Sequence, residues 1–429
     1  MVSAGLPVVA ARDVRFPRAD PVDGETLERA RSIVGSVRDG GEVALRAAIA
    51  QFEGRRFDPL VLDREQLKAA YKRLAPDTRG VLERTCSRIT DFARAQRACL
   101  ATLEIAVPGG RAGHDLEPVA RAGCYAPGGN YPLPSSVLMT AATARAAGVG
   151  SVVVASPSSD DLMLGAAWLA GADEFLHAGG AHAIAALSYG FEGFDAVDFV
   201  AGPGNRWVTA AKAVVIGRVG VDMLAGPSEL VVVADETADP ELVAADLLGQ
   251  AEHDVDAIVR LVTTNASVAQ AVSEACASQL AQLETRQVAG VSLAQGAAIV
   301  CSSRQELIDV VNRCAPEHLE LHCAQPGELL PAIQHYGGAF LGTQSAEVFG
   351  DYGVGPNHVL PTGGTARHTG GLSVLSFIRV RTWLALDAQA PDEQLIADVA
   401  ALADCEGLAA HAASARKRLR RPLTRLRSE

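Results

Sequence analysis

Glu229-Leu-Val-Val-Val-Ala234 runs through four branched apolar residues without a polar interruption. A strand with one wet face alternates apolar and polar residues, so an unbroken run is expected to be buried on both faces. That is the mark of a parallel sheet covered by crossover helices. Ser151-Val-Val-Val-Ala-Ser156 and Ala196-Val-Asp-Phe-Val-Ala201 have the same texture, and Ala-rich helical stretches at 136–148, 160–171, 180–190 and 205–217 separate or follow them. Beyond residue 254 the alternation resumes with Ala257-Ile-Val-Arg-Leu-Val-Thr263, Ala298-Ile-Val-Cys301 and Ala339-Phe-Leu341. Two α/β units are therefore expected.

The segment that joins the two halves is Asp-Pro-Glu-Leu-Val-Ala-Ala-Asp-Leu-Leu-Gly-Gln-Ala-Glu-His-Asp over 239–254. Asp239 suits a helix cap and Pro240 the first helical position. Leu242, Val243, Ala245, Leu247 and Leu248 give one apolar face. Positions three apart sit about 60° apart around a helix and roughly 4.5 Å along it, so Gln250 and His253 point the same way. An amide oxygen and an imidazole aimed at one point suggest half a metal site; a solvated helix end explains the same residues.

Before 119 the chain reads as an arm over 1–22 followed by helices. Asp23 caps one through Arg38, broken at Gly40-Gly41 and continued to Gln51; Asp63 opens a short helix, and Pro76-Asp77 a long one reaching about Leu100. After Arg379 an irregular connection leads to two helices at about 391–404 and 406–421.

Composition narrows the classes. The 429 residues are 48% hydrophobic and 21% charged, ordinary for a globular protein with a large core. No apolar run reaches about 18 residues, so no membrane span is expected, and the N-terminus suggests no signal peptide. Eight cysteines lack any Cys-x-x-Cys pair, which disfavours a thiolate zinc knuckle and fits reduced thiols in the cytoplasm. Net charge is −12, yet Arg416, Lys417, Arg418, Arg420, Arg421, Arg425 and Arg427 crowd the end. No aromatics interleave them as a nucleic-acid stacking surface requires, so a solvated face or a dock on a neighbouring subunit is expected, with no nucleic-acid partner.

Chemistry belongs in the loops. In open α/β sheets ligands bind beyond the carboxyl ends of the strands. Tyr125-Ala-Pro-Gly-Gly-Asn-Tyr-Pro-Leu-Pro-Ser-Ser136 and Gly202-Pro-Gly-Asn205 each follow a strand and precede a helix; such turns let backbone N–H groups approach an anion, or are simply tight turns. No GxGxxG occurs. Ala225-Gly-Pro-Ser-Glu229 places Ser228 at a strand entrance. Gly350-Asp-Tyr-Gly-Val-Gly-Pro-Asn-His358 offers Asp351 and His358 from a segment too rich in Gly and Pro for helix. In Ala315-Pro-Glu-His-Leu-Glu-Leu321, adjacent Glu317 and His318 project apart and could serve two proton transfers, His318 as a base near working pH. Glu406 and His411, five apart, do not share a helix face closely.

In order along nearly the whole chain, Tyr125-Ala-Pro-Gly-Gly129, Gly202-Pro-Gly-Asn205, Asp222-Met-Leu-Ala-Gly-Pro-Ser-Glu229, Ala244-Ala-Asp-Leu-Leu-Gly-Gln-Ala-Glu-His-Asp254, Ala315-Pro-Glu-His-Leu-Glu-Leu321 and Gly350-Asp-Tyr through Pro356-Asn-His-Val-Leu-Pro-Thr362 resemble the L-histidinol dehydrogenase family. The resemblance implies one Zn²⁺ per subunit, held by Gln250, His253, Asp351 and His411. It implies NAD⁺ near Tyr125 and Asn205, with His182 at a further nucleotide-contacting position. Substrate contacts are implied from Ser228, His358 and Glu406, alongside the metal ligands and His318. Glu317 and His318 become the catalytic pair of a four-electron oxidation of an amino alcohol through an aldehyde, using two NAD⁺. The family's C-terminal piece reaches across a dimer, so Glu406 and His411 would serve the neighbouring subunit's site.

The expected fold is then two Rossmann-like parallel-sheet domains, one discontinuous, with a small N-terminal helical arm and a small C-terminal helical domain. The expected division is an arm over 1–23, a discontinuous α/β domain over 24–124 and 229–379 with the metal site and the Glu-His pair, an inserted NAD-binding domain over 125–228, and a dimer-swapped domain over 380–429. Three positions depart from the family pattern: His182 stands where Gln is usual, Arg206-Trp207 replaces a pair ending in Tyr, and His368 replaces an apolar aromatic. These touch NAD⁺ geometry and the pocket surroundings. The readings that compete with L-histidinol are a family relative oxidising another amino alcohol or a sulfonated diol, a zinc hydrolase without nicotinamide, and a nucleic-acid module using the tail.

Overall fold

Asp23 begins the helical part of the chain by accepting the Thr26 N–H at 2.9 Å, and the computed structural model describes residues 5–16, 20–128, 132–387 and 390–419. Strand β1 (Val8–Ala10) precedes α1 (Gly24–Phe52), which bends where Gly41 takes a φ of 54°. Such a backbone favours glycine, as the Gly40-Gly41 pair suggests. After β2 (Val61–Asp63), Asp63 and Gln66 form a capping box at the start of α2 (Arg64–Arg73), and α3 (Pro76–Ala98) follows. The hairpin strands β3 (Leu103–Val107) and β4 (Gly110–Pro118) come next.

The regular alternation then begins: β5 (Arg121–Tyr125), α4 (Pro134–Ala147), β6 (Ser151–Ser156), α5 (Asp161–Leu169), β7 (Glu174–His177), α6 (Gly180–Tyr189), β8 (Phe199–Ala201), α7 (Arg206–Val215) and β9 (Gly220–Val221). Their sheet has the order β2-β7-β6-β5-β8-β9, parallel except for the antiparallel edge strand β2. The chain winds outward from β5 to β7, then crosses back to β8. The direction reverses between β5 and β8, which is the topological switch point of this sheet.

A second round follows with β10 (Glu229–Ala234), α8 (Pro240–Ala251), β11 (Ile258–Thr263), α9 (Ala266–Leu280), α10 (Arg286–Gln295), β12 (Ala297–Val300), α11 (Arg304–Cys314), β13 (His318–His322), α12 (Pro326–Leu329), β14 (Gly338–Leu341) and α13 (Glu347–Asp351). The sheet order is β1-β12-β11-β10-β13-β14, all parallel. Every residue of β10 is buried, as its unbroken apolar run requires.

The structure distributes the first hundred residues differently from the expected 24–124 assignment. α1 packs on α6 and α7, and α2 on α5, so both belong to the sheet centred on β5. The reason is the apolar stripe of α1: Val34, Val37, Leu45 and Ile49 are buried in one core with Ile184, Leu187 and Val208. The arm is not merely helical, since β1 pairs in parallel with β12 and Leu6 is buried beneath that sheet.

Apart from β3 and β4, these elements belong to one compact unit, Met1–Arg97 with Val119–Phe377. A second unit, Ala98–Pro118 with Ile378–Glu429, holds β3, β4, β15 (Ile378–Leu386), α14 (Glu393–Cys405) and α15 (Ala409–Arg416). Its strands form an antiparallel sheet of order β15-β4-β3. The segment after Arg379, expected to be irregular, is thus a nine-residue strand paired along the length of β4. Arg420, Arg421, Arg425 and Arg427 of the basic tail, and 129–131 of the Pro/Gly loop, lie outside the described residues.

Candidate active site

At the β5–β8 switch point the two expected nucleotide turns emerge side by side, because Cys124 and Ala201 are register partners. Gly202 has a φ of 122°, and a Cβ there would lie 1.9 Å from the Tyr125 carbonyl oxygen. Only glycine fits so close an approach. The Gly202 N–H donates to Asp222 Oδ2 (2.7 Å), and Lys212 Nζ donates to the Gly202 carbonyl (2.5 Å) and to Asp222 Oδ1 (2.6 Å). Both side chains of this ion pair are nearly inaccessible to solvent, so the turn is held from beneath. Asn205 caps α7, its Oδ1 accepting the N–H groups of Trp207 (3.1 Å) and Val208 (3.3 Å). Tyr125 is buried, accepts the Gly180 N–H at 3.1 Å, and burial pushes its phenol up to about 12. Glycine turns and a helix N-terminus at a switch point suit the phosphates of a dinucleotide.

His182 lies in the first turn of α6, buried, with Nε2 2.7 Å from Glu53 Oε1 and its ring stacked on Phe52. The same Glu53 oxygen accepts the Gly179 N–H at 2.9 Å. The imidazole therefore has a partner at the C-terminal cap of α1 that the sequence did not reveal, because nothing local links residues 53 and 182. Trp207 is flanked by the guanidinium groups of Arg29 (4.9 Å) and Arg206 (5.4 Å), so the unusual Arg-Trp pair helps seat α1. His368 lies just beyond a 3₁₀ turn, its N–H donating to the Thr365 carbonyl.

The Glu-His pair stands at the amino end of β13, against the expectation of carboxyl-end chemistry. His318 is the first residue of that strand, and its neighbour Glu229 opens β10. His318 Nδ1 lies 3.2 Å from the Glu229 carbonyl oxygen. Nδ1 also has carboxylate oxygens of Glu347 and Glu317 at 3.6 and 3.7 Å, against a single competing donor, the Gln250 amide nitrogen at 3.3 Å, so the proton is assigned to Nδ1 and the lone pair to Nε2. That Nε2 is buried with no hydrogen-bond partner among the described residues, 3.9 Å from Asp351 Oδ1. Burial is the main cause that pushes the imidazole down to about 4, so it is neutral at working pH.

Glu317 Oε2 accepts the Glu229 N–H at 2.9 Å. Burial first, and the Glu229 and Asp351 carboxylates after it, hold its carboxyl well above the usual range, while a hydrogen bond from the half-buried Ser228 works the other way. Adjacent residues thus offer two bases with different surroundings.

α8 and α13 bring the remaining groups. α8 ends at Ala251, and the His253 N–H bonds back to the Gln250 carbonyl. The Gln250 amide sits with its oxygen accepting from His253 Nδ1 (2.8 Å) and its nitrogen donating to the Glu347 carboxylate (3.0 and 3.2 Å). Gln250 is buried, while His253 faces outward. Asp351, expected in a loop, closes the short helix α13 that Glu347 opens. Four positions apart on one turn, the two carboxylates share a face; the glycines around Asp351 hid this. Glu347 is a site residue that the sequence did not point to. His358 Nδ1 donates to the Asp351 carbonyl (2.9 Å), and its Nε2 lies 3.4 Å from Ser136 Oγ.

A cavity of about 590 Å³ opens here, lined by His318, Asp351, His358, Phe92, Phe340 and Phe349 among others. That is a small-molecule volume with polar groups converging from a largely apolar wall. Atoms of His318, Glu347 and Asp351 lie within 4.8 Å of one another, and Gln250 joins that group to His253. Imidazole, amide oxygen and carboxylate are the donors that zinc accepts, and a bare imidazole nitrogen already faces the carboxylate. These donors are of the kind that a divalent cation such as zinc accepts, and the assigned Gln250 adjoins them through Glu347. Glu406 caps the end of α14 and His411 lies in α15; both belong to the second unit and are exposed.

A family model described as histidinol dehydrogenase matches residues 17–419. The histidinol dehydrogenase of Parasynechococcus marenigrum is 44% identical over 393 residues, 90% of each chain. That of Natronomonas pharaonis is 43% identical over 413 residues, 95% of this chain and 97% of the relative. The crystal structure of histidinol dehydrogenase from Elizabethkingia anophelis superposes with a TM-score of 0.89 at 31% identity, covering 96% of this chain and 98% of that one.

Proposed function

The chain belongs to the histidinol dehydrogenase family, and on that premise we propose that it oxidises L-histidinol through L-histidinaldehyde to L-histidine at the site built on β13, α8 and α13. The observation that carries this reading is the adjacency of two buried groups, Glu317 and His318, with His318 Nε2 left without a hydrogen-bond partner among the described residues. When bound, zinc supplies a Lewis-acid anchor for the substrate's nitrogens, and each of two NAD⁺ accepts one hydride. In the first half-reaction His318 Nε2 takes the alcohol proton as the C–H hydride departs, leaving the aldehyde. Glu317 then draws a proton from water as the water oxygen adds to the aldehyde carbon, and protonated His318 returns its proton to the carbonyl oxygen, which gives the gem-diol and frees Nε2 again. His318 takes the proton of the resulting gem-diol as the second hydride leaves, and the carboxylic acid is formed. One water is consumed and two hydrides are given up, which balances the four-electron oxidation.

Gln250, His253 and Asp351 are the ligands this chain offers zinc from its first unit. Tyr125 and the turn ending at Asn205 offer the nucleotide a seat, with His182 acting through its bond to Glu53. Ser228 and His358 are assigned to the substrate because one immediately precedes Glu229, whose N–H Glu317 accepts, and the other lines the cavity. The expected oxidation with histidinol releases two NADH per substrate consumed, followed by absorbance. Turnover of a sulfonated diol with none of histidinol rejects this substrate, and zinc-dependent hydrolysis without NAD⁺ rejects the dehydrogenase.

The same proposal makes the enzyme a homodimer in which Glu406 and His411 of the partner subunit complete each site. Support comes from the second unit, where Val380, Leu384 and Leu402 are each more than 60% exposed; large apolar side chains left in water mark an association surface. Mixing the inactive variants His318→Asn and His411→Ala, after dissociation and reassociation, is expected to restore about one quarter of wild-type activity, because half the dimers then hold one intact site. No recovery despite subunit exchange places both residues in one chain's site. The buried thiols of Cys86, Cys124, Cys276, Cys301 and Cys314, none of them in a disulfide, fit a reducing compartment, supporting the cytoplasm, and no described helix is long and apolar enough to cross a membrane.

A further inference from the structure

Behind the catalytic pair, the pleat of β13 puts His318, Glu320 and His322 on one face, since alternate residues of a strand point the same way. Glu320 is fully buried and uses both carboxylate oxygens. Oε1 accepts the N–H of Glu347, the first residue of α13, at 2.6 Å; Oε2 lies 3.2 Å from His322 Nε2. The same imidazole nitrogen lies 3.4 Å from Asp246 Oδ2, and Asp246 sits on α8 one turn before Gln250. A continuous polar link therefore runs from the helix carrying Gln250 to the helix carrying Asp351, passing through the strand that carries His318.

We propose that Asp246, His322 and Glu320 are positioning residues that fix the spacing between α8 and α13, and thereby set the affinity of the zinc centre. The inference rests on the zinc reading above. Each member has an independent reason. Glu320 satisfies an N–H at the start of α13, where a free backbone donor otherwise goes unpaired, and so anchors the segment that ends in Asp351. Burial pushes the His322 imidazole down, but its bonds to Asp246 and Glu320 outweigh that and carry it up to about 9; a single nitrogen, Nε2, reaches both carboxylates, while Nδ1 is buried with no hydrogen-bond partner among the described residues. Asp246 is the rim member, with its side chain 16% exposed. Stability alone does not call for this arrangement, since well-packed apolar groups replace buried ion clusters at little or no cost. Outer partners that orient metal ligands, by contrast, typically change metal affinity about 10–100-fold when removed.

The test measures zinc affinity of the full-length protein by competition with a chromophoric chelator, alongside thermal unfolding of the metal-free protein. D246N and E320L are expected to weaken zinc by about 10–100-fold. E320Q, which keeps an acceptor for the Glu347 N–H but turns its amide N–H groups toward His322 Nε2, is expected to lose less affinity than E320L. Should E320L fail to fold, D246N at the rim decides the matter. Wild-type zinc affinity in D246N overturns the inference, as does an E320Q loss equal to that of E320L. A wild-type protein that binds no zinc overturns the metal reading itself, a result distinct from a zinc-binding wild type matched by D246N.

Discussion

His318→Asn is expected to lower kcat for histidinol oxidation by about 10²–10⁴-fold, the usual worth of a placed general base, while zinc stays bound. Asparagine can keep a donor toward the Glu229 carbonyl that now holds Nδ1–H at 3.2 Å. It has no nitrogen that can take a proton, so the loss falls on chemistry more than on the fold. Because the imidazole is kept neutral down to about pH 4, wild type needs no deprotonation step before accepting the alcohol proton. The contrast is Glu317→Gln. Glutamine can still accept the Glu229 N–H but cannot take a proton from water, so oxidation of added aldehyde should fall further than the first hydride step. Single-turnover NADH formation from alcohol and from aldehyde separates the two. Equal damage to both half-reactions by each variant removes the division of labour proposed for the pair.

How much of this was legible in the sequence depended on whether a pattern reported burial. The β10 run and its companions announced strands covered on both faces, and the structure has them so. The capped helix before Gln250 was equally plain, since Asp239 and Pro240 do locally what the helix start requires. β15 shows the opposite case. Ile378, Val380, Thr382, Leu384 and Leu386 alternate along it, but Val380 and Leu384 are exposed in their unit, so alternation there does not mark a core face.

Long-range partnerships were silent for a different reason. The turn at Gly202 was visible as a glycine-rich turn between strand and helix, whereas the Lys212–Asp222 pair that holds it depends on β8 and β9 being neighbours. Glu53 meets His182 across 129 positions of chain. Glu347 was hidden by the glycines that follow it, because a helix as short as α13 forms from tertiary support rather than from propensity. The Glu320 bond to the Glu347 N–H is part of that support. The position of the proposed catalytic pair was also out of reach: the two Gly-rich turns follow the carboxyl ends of β5 and β8, but β13 presents its amino end to the cavity.

Asp351→Ala and His253→Ala are each expected to lose zinc and activity together, with zinc affinity falling by more than about 100-fold, beyond the range for outer partners. Asp351 supplies the negative charge among the first unit's three assigned ligands, and its Oδ1 already stands 3.9 Å from the bare His318 Nε2. Removing the carboxylate leaves a divalent cation facing neutral donors in a partly buried pocket, where an unpaired charge is costly. His253→Ala acts differently: it deletes an exposed imidazole and frees the Gln250 oxygen that accepts from its Nδ1 at 2.8 Å. Gln250 keeps its bonds to Glu347, so the apo fold should survive, and thermal unfolding of the metal-free variant should match metal-free wild type. Metal content per chain after gel filtration is the deciding measurement. Stoichiometric zinc in either variant removes that residue from the ligand set, and zinc retained in both moves the metal centre to His318 and Glu347, the other donors within reach of this pocket.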